Sequence, residues 1–194
     1  MQLADLDLDK IYSYADYIKW QFEERVELIK GRIFPMSAPN ARHQTIAMDL
    51  SGYIWSYLKN KPCKVFSAPF DVMLTTKTAA DKEIMTIVQP DICVVCDESK
   101  IEMRGCVGAP DIIIEILSPG NNAKELKNKF NIYEESGVLE YWIVYPQNNS
   151  FIRYRLANGK YIASRPFIAG DVITTPILPG FSIDLQEFFD RNWS

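Results

Sequence analysis

Ile46, Leu50, Tyr53, Ile54 and Tyr57 recur at the spacing of a helix that lays one face on a core, and Pro39-Asn40 upstream marks its start. The pattern predicts a helix over 41–58, with His43 in its first turn. An earlier helix is predicted from Ser13 to about residue 24, with Asp16 completing a capping box and Tyr14, Tyr17 and Ile18 as its apolar stripe. Between the two the period shortens. Val26-Glu27-Leu28-Ile29 and Arg32-Ile33-Phe34 flank a Lys30-Gly31 turn, which reads as an N-terminal hairpin with Glu27 among apolar neighbours on its first arm. Further strands are expected at 63–66, 70–74 and 91–96, separated by a polar connection over 75–83; residues 97–108 have no clear period.

Residues 111–117 form the strongest candidate for a central strand, stopped at Ser118-Pro119-Gly120. Asn121 or Asn122 can cap a helix reaching about residue 135, Ser136-Gly137 ends it, and 139–145 resumes as a strand. Strand, helix and strand in that order predict a crossover between parallel strands. From residue 150 onward the chain reads as a meander over 151–156, 160–163 and 172–174, with Asn158-Gly159 as a two-residue turn. It closes on a strand at 181–185 and a short helix over 185–189.

With 194 residues and 47% hydrophobic content, the chain can bury one sizeable core, and no repeat or low-complexity linker divides it. A single domain over 1–194 is expected. The net charge of -4, from 21 basic and 25 acidic residues, removes any global attraction for nucleic acid or an anionic membrane, so such binding requires a local patch. Cys63, Cys93, Cys96 and Cys106 lack the spacing of metal-binding knuckles and are expected to be reduced, structural thiols. No leader pattern and no apolar run approaching about 20 residues occurs, which points to a cytoplasmic location with no membrane partner.

Carboxylates inside apolar strands change this picture, because burial disfavours a charge unless it is paired. Asp91 stands at the mouth of one such strand and Glu115 within another, and together they could present several oxygens to one divalent cation. Magnesium prefers such ligands, and in this role it would activate water and neutralise phosphoryl charge. Glu27 is the best third acidic member. Asp111 shares a strand face with Glu115 but lies roughly 13 Å from it, so it ranks as a structural residue at the strand entrance. Glu125, Lys129 and Tyr133 fall on one helix face: Glu125 to tether Lys129, Lys129 to hold a phosphate or orient water, Tyr133 to brace the helix. His43 could bind phosphate or position a site carboxylate. Each of these residues also has an ordinary reading as an edge carboxylate, a solvated helix face or a local hydrogen-bonding group. No phosphate-binding glycine loop, nucleophile elbow or histidine-pair zinc helix is present.

Taken together, Val26-Glu27-Leu28-Ile29-Lys30-Gly31, Met36-Ser37 through His43, Gln89-Pro90-Asp91, Ala109-Pro110-Asp111 through Glu115-Ile116-Leu117-Ser118-Pro119, Lys129 to Tyr133, Gly137-Val138-Leu139-Glu140-Tyr141-Trp142 and Leu178-Pro179-Gly180-Phe181 resemble the Uma family of bacterial restriction endonucleases, in the PD-(D/E)xK nuclease superfamily. The resemblance implies an α/β, restriction-endonuclease-like core, with a mixed central sheet flanked by helices, an added N-terminal hairpin and C-terminal antiparallel strands. It also implies metal-binding positions at Asp91 and Glu115, with Glu27 as the acidic contribution from the N-terminal element. The superfamily usually places its lysine where this chain has Leu117, and the family's substitute from the next helix maps onto Lys129. Glu125 stands where relatives usually have aspartate, and Gly120-Asn121 where they usually have serine and threonine. The function implied is a DNA endonuclease dependent on Mg2+, or on Mn2+ in its place, with a homodimer as a further expectation. The alternatives are an RNA or structure-specific nuclease and an inactive nucleic-acid-binding or assembly protein.

Overall fold

The computed structural model describes residues 3–118 and 123–193. A short helix, α1 (Tyr14–Tyr17), leads into the hairpin of β1 (Val26–Ile29) and β2 (Arg32–Pro35), and the long helix α2 (Ala41–Leu58) follows. The strands β3 (Lys64–Ser67), β4 (Val72–Met73), β5 (Ile87–Val88), β6 (Ile92–Val95), β7 (Ile101–Glu102), β8 (Gly105–Val107) and β9 (Ile112–Ile116) come next. Helix α3 (Ala123–Ser136) then precedes β10 (Glu140–Tyr145), β11 (Ser150–Ala157), β12 (Lys160–Ala163), β13 (Val172–Thr174), β14 (Ser182–Asp184) and the final helix α4 (Leu185–Trp193).

Two six-stranded sheets result, ordered β2-β1-β5-β4-β8-β7 and β12-β11-β10-β9-β6-β3, with β13 and β14 paired apart from both. The second is mixed: β9 and β10 run parallel, as a crossover through α3 requires, while β6, β3, β11 and β12 join antiparallel. Alternation along β9 sorts its side chains. Ile112, Ile114 and Ile116 pack with Ile46, Leu50 and Ile54 of α2 and with α4, whereas Ile113 faces the other side with Ile132 and Tyr133 of α3. The sheet is therefore flanked by helices, and Glu115 shares its parity with Ile113, on the α3 side.

Local chemistry explains the well-placed elements. Asn40 caps α2, its side-chain oxygen accepting from the His43 N–H at 2.9 Å. Lys30-Gly31 and Asn158-Gly159 each place two successive residues at positive φ, the geometry of a hairpin turn that matches strand twist. No helix among the described residues is long and apolar enough to cross a membrane.

Several expectations are corrected. The first helix ends at Tyr17 rather than near residue 24: Ser13 donates to Asp16 at its start, but Trp20 folds back onto Tyr12 and Tyr17 at ring distances of 5.2 and 5.8 Å. Residues 172–174 leave the meander and pair with β14. Residues 97–108 contain β7 and β8, and β5 appears where no strand was expected. Cys63 and Cys96, expected to be reduced, are joined in a disulfide, while Cys93 and Cys106 remain free and buried. The β3–β6 register pairs Lys64 with Val95, so the next step sets Cys63 opposite Cys96. The cap at Asn121 or Asn122 and the Gly120-Asn121 departure lie outside the described residues.

Removing the Asn40 cap should cost about 1 kcal/mol. Asn40→Ala is expected to melt about 2–4 °C below the wild type in a thermal unfolding experiment.

Candidate active site

The β6–β9 ladder sets Ile92 opposite Ile114, so one step further along it Asp91 stands opposite Glu115. Asp91 Oδ2 accepts the Ile116 N–H at 2.7 Å, which fixes the aspartate at the strand end. Two neighbouring antiparallel strands thus deliver two carboxylates to one place. Glu27 arrives from the other sheet: β5 leads through Gln89-Pro90 directly to Asp91, and the Gln89 N–H donates to Glu27 Oε1 at 2.8 Å.

Lys129 joins the two sheets. Its Nζ lies 3.0 Å from Glu27 Oε1 and 2.9 Å from Glu115 Oε1, and the Tyr133 hydroxyl donates to that same Glu115 oxygen at 2.7 Å. Lys129 is 5% exposed, Glu27 2% and Glu115 8%, so none of these charges is stabilised chiefly by water. Burial alone would lower the Lys129 pKa, but the charges of Glu115 and Glu27 outweigh it and drive it upward. One ammonium serves two carboxylates, however. Burial pushes Glu115 up to about 7; Lys129 opposes the rise, while the nearby charges of Asp91 and Glu27 add to it.

His43 reaches the site from the first turn of α2, with Nε2 3.1 Å from Asp91 Oδ2. Burial pulls its pKa down, but the hydrogen bond and charge of Asp91 outweigh burial and raise it overall. Glu125 lines the same cleft one helical turn before Lys129, whose ion pairs run instead to Glu27 and Glu115. Asp111 stands apart, its Oδ2 accepting the Cys96 N–H at 2.7 Å at the entrance of β9. The cleft holds about 180 Å³ and is walled by Arg25, His43, Asp91, Glu115, Glu125 and Lys129, among others.

Among the described residues no group of three or more His, Cys, Asp or Glu side chains is arranged to hold a metal ion. The donor set nevertheless fits magnesium, which is commonly bound through one or two carboxylates plus water and substrate phosphate rather than an all-protein cage. Asp91 Oδ1 and Glu115 Oε2 receive no hydrogen bond from the described residues, and both carboxylates border the cleft.

A second network had gone unread in the sequence. Gln89 Oε1 accepts Nε and Nη2 of Arg25 at 3.0 and 2.6 Å, while Gln89 Nε2 donates to Asp71 Oδ1 at 2.7 Å and to the Tyr17 hydroxyl at 3.2 Å. Tyr17 in turn donates to Asp71 at 3.3 Å. Burial raises the Asp71 pKa, and these two hydrogen bonds oppose it. The available signal was parity: the Met36 N–H donates to the Arg25 carbonyl, so Arg25 continues the hairpin register two places before Glu27 and falls on its face.

A family model for Uma2, described as "Putative restriction endonuclease", matches residues 14–186, a span that contains every residue just placed in the cleft. The chain belongs to the Uma2 family. It is similar to two proteins of Synechocystis sp. (strain ATCC 27184 / PCC 6803 / Kazusa), "Uncharacterized protein slr1290" and "Uncharacterized protein sll1609". Identity to the first is 22%, over 68% of this chain and 67% of that one. Identity to the second is 21%, over 84% and 89%. A crystal structure from Anabaena variabilis ATCC 29413, described as "a putative nuclease belonging to DUF820", shares the fold with a TM-score of 0.73 at 20% identity, covering 93% of this chain and 98% of that one. Uma2 membership and the restriction-endonuclease-like fold support a nuclease-like enzyme.

Truncating Lys129 strands two buried carboxylates. Lys129→Met should cost about 3–5 kcal/mol in urea unfolding. Glu115 also makes stability depend on pH. Its pKa, 4.5 when unperturbed, is raised to about 7 in the folded chain, so its contribution is fully present below about pH 4.5 and is lost as pH rises through about 7. Glu115→Gln is expected to flatten that part of the stability profile, measured by urea unfolding between pH 4.5 and 8.

Proposed function

We propose that this cleft hydrolyses phosphodiester bonds of DNA with a divalent cation, magnesium or manganese in its place. The observation that carries the reading is Lys129 held between Glu27 and Glu115 on the wall of a cleft that also presents Asp91. Asp91 and Glu115 would hold the cation. Once bound, it would lower the pKa of an attacking water and offset charge developing on the phosphoryl oxygens.

The chain's own groups divide the remaining work. Lys129 has three N–H donors, of which Glu27 and Glu115 engage two, leaving one for a phosphate oxygen or the attacking water. Glu27 acts by orienting that ammonium, and the Gln89 N–H keeps Glu27 in place. Tyr133 and Lys129 fix one oxygen of Glu115, as His43 and the Ile116 N–H fix one of Asp91, so each carboxylate presents its other oxygen without reorganisation. Asp111 supports the fold and Glu125 edges the cleft. A homodimer would offer two such clefts to the two strands of a duplex.

The test is a magnesium and manganese panel on supercoiled DNA, linear DNA and RNA. Asp91→Ala and Glu115→Ala are expected to lower cleavage by at least about 10²-fold. Equal cleavage by wild type and Asp91→Ala would place the chemistry elsewhere, and cleavage of RNA alone would replace DNA as the substrate.

A further inference from the structure

We infer that Arg25 forms a second phosphate position in this cleft, holding a backbone phosphate of the bound strand other than the one being cut. The inference rests on the nucleic-acid reading of the cleft and adds a subsite to it.

Three basic side chains stand on the described cleft wall, and two are already matched with carboxylates. Lys129 lies between Glu27 and Glu115, and His43 lies on Asp91. Arg25 is different: its partner is a neutral amide, Gln89 Oε1, which takes both Nε and Nη2. The guanidinium is therefore held by a neutral acceptor with no direct ion pair, the Asp71 charge acting on it only from behind the amide.

The orientation of that amide is dictated from behind. Asp71 Oδ1 is an acceptor, so Gln89 must turn its NH2 group toward Asp71 and its carbonyl toward Arg25. Asp71 is itself anchored: its carbonyl accepts the Cys106 N–H at 2.8 Å, and a Cβ on Gly105 would lie 2.1 Å from that same oxygen. The chain of support thus runs from the backbone of β8 through Asp71 and Gln89 to Arg25. An arginine needed only as a brace would gain more from pairing with Asp71 directly. The intervening amide instead fixes the fork while keeping its charge available, with N–H donors left over for the two oxygens of a phosphate.

Location fits the same role. Only Pro90 separates Gln89 from Asp91, so Arg25 is tied to the segment that carries a cation-binding carboxylate. Asp91, Glu115 and Glu125 line the cleft against a polyanion, and Arg25 is the cleft cation not already matched to a carboxylate among the described residues.

The experiment measures fluorescence anisotropy of a labelled DNA duplex with the full chain in EDTA, over a range of KCl concentrations, for wild type, Arg25→Gln and Arg25→Lys. Losing one phosphate contact should make the slope of log K against log salt shallower by about 1 in Arg25→Gln, with Arg25→Lys keeping the wild-type slope. Thermal melting of both variants shows that they are folded. Should Arg25→Gln fail to fold, the wild-type slope in Arg25→Lys combined with a shallower one in Arg25→Met decides the matter. A slope unchanged by removal of the charge, whatever the affinity, overturns the subsite and leaves Arg25 as a brace. If that result coincides with cleavage that Asp91→Ala abolishes, the nuclease reading survives alone. A shallower slope together with cleavage indifferent to Asp91→Ala leaves the phosphate position standing and removes the proposed catalytic centre. A wild type that binds no duplex overturns the phosphate position, and the cleavage panel with magnesium and manganese decides the nuclease reading separately.

Discussion

One ammonium group is required by two carboxylates, and neither can be buried without it. Lys129 Nζ bridges Glu27 of the first sheet and Glu115 of the second, at 3.0 and 2.9 Å, in a position almost closed to solvent. A buried ion pair is a weak source of stability, because desolvation offsets most of the attraction. Its value here is geometric: the triad can be satisfied only when α3, β1 and β9 meet in one register, so the charges select the arrangement that apolar packing alone would leave less sharply defined.

The same register sets the rest of the cleft. Because Ile92 opposes Ile114, Asp91 must oppose Glu115, and a one-residue slip of either strand would send its carboxylate to the opposite face. Helix α2 then brings His43 to Asp91 from one face of the sheet, while α3 brings Lys129 and Tyr133 to Glu115 from the other. The centre consequently lies at the strand ends, between layers that are otherwise filled with aliphatic and aromatic side chains.

Strongly periodic or well-punctuated elements were legible in the chain. Helix α2 starts and stops where its apolar stripe and Asn40 place it, and the two hairpin turns sit at Lys30-Gly31 and Asn158-Gly159. Glu115 was conspicuous for a physical reason, since a carboxylate inside an apolar strand needs a partner, whereas Lys129 stood out only by its helix face and by the family resemblance. Non-local structure was not legible. Strands of two residues such as β5 carry no period, the end of α1 is set by Trp20 packing back across the turn, and the Cys63–Cys96 link follows from a strand pairing that spacing along the chain does not reveal. Arg25, Tyr17 and Asp71 escaped for the same reason: ordinary by type and position, they acquire meaning only when Gln89 draws them together.

Gln89-Pro90-Asp91 is one of the segments by which the chain passes from one sheet to the other, with Glu27 held at its first residue and Asp91 at its last. The contributing segments run from the first hairpin to the helix after β9, so a nascent or partly unfolded copy has its acids and its lysine on elements that have not yet met. The geometry of the cleft therefore arrives only with completed assembly of the two sheets and α3.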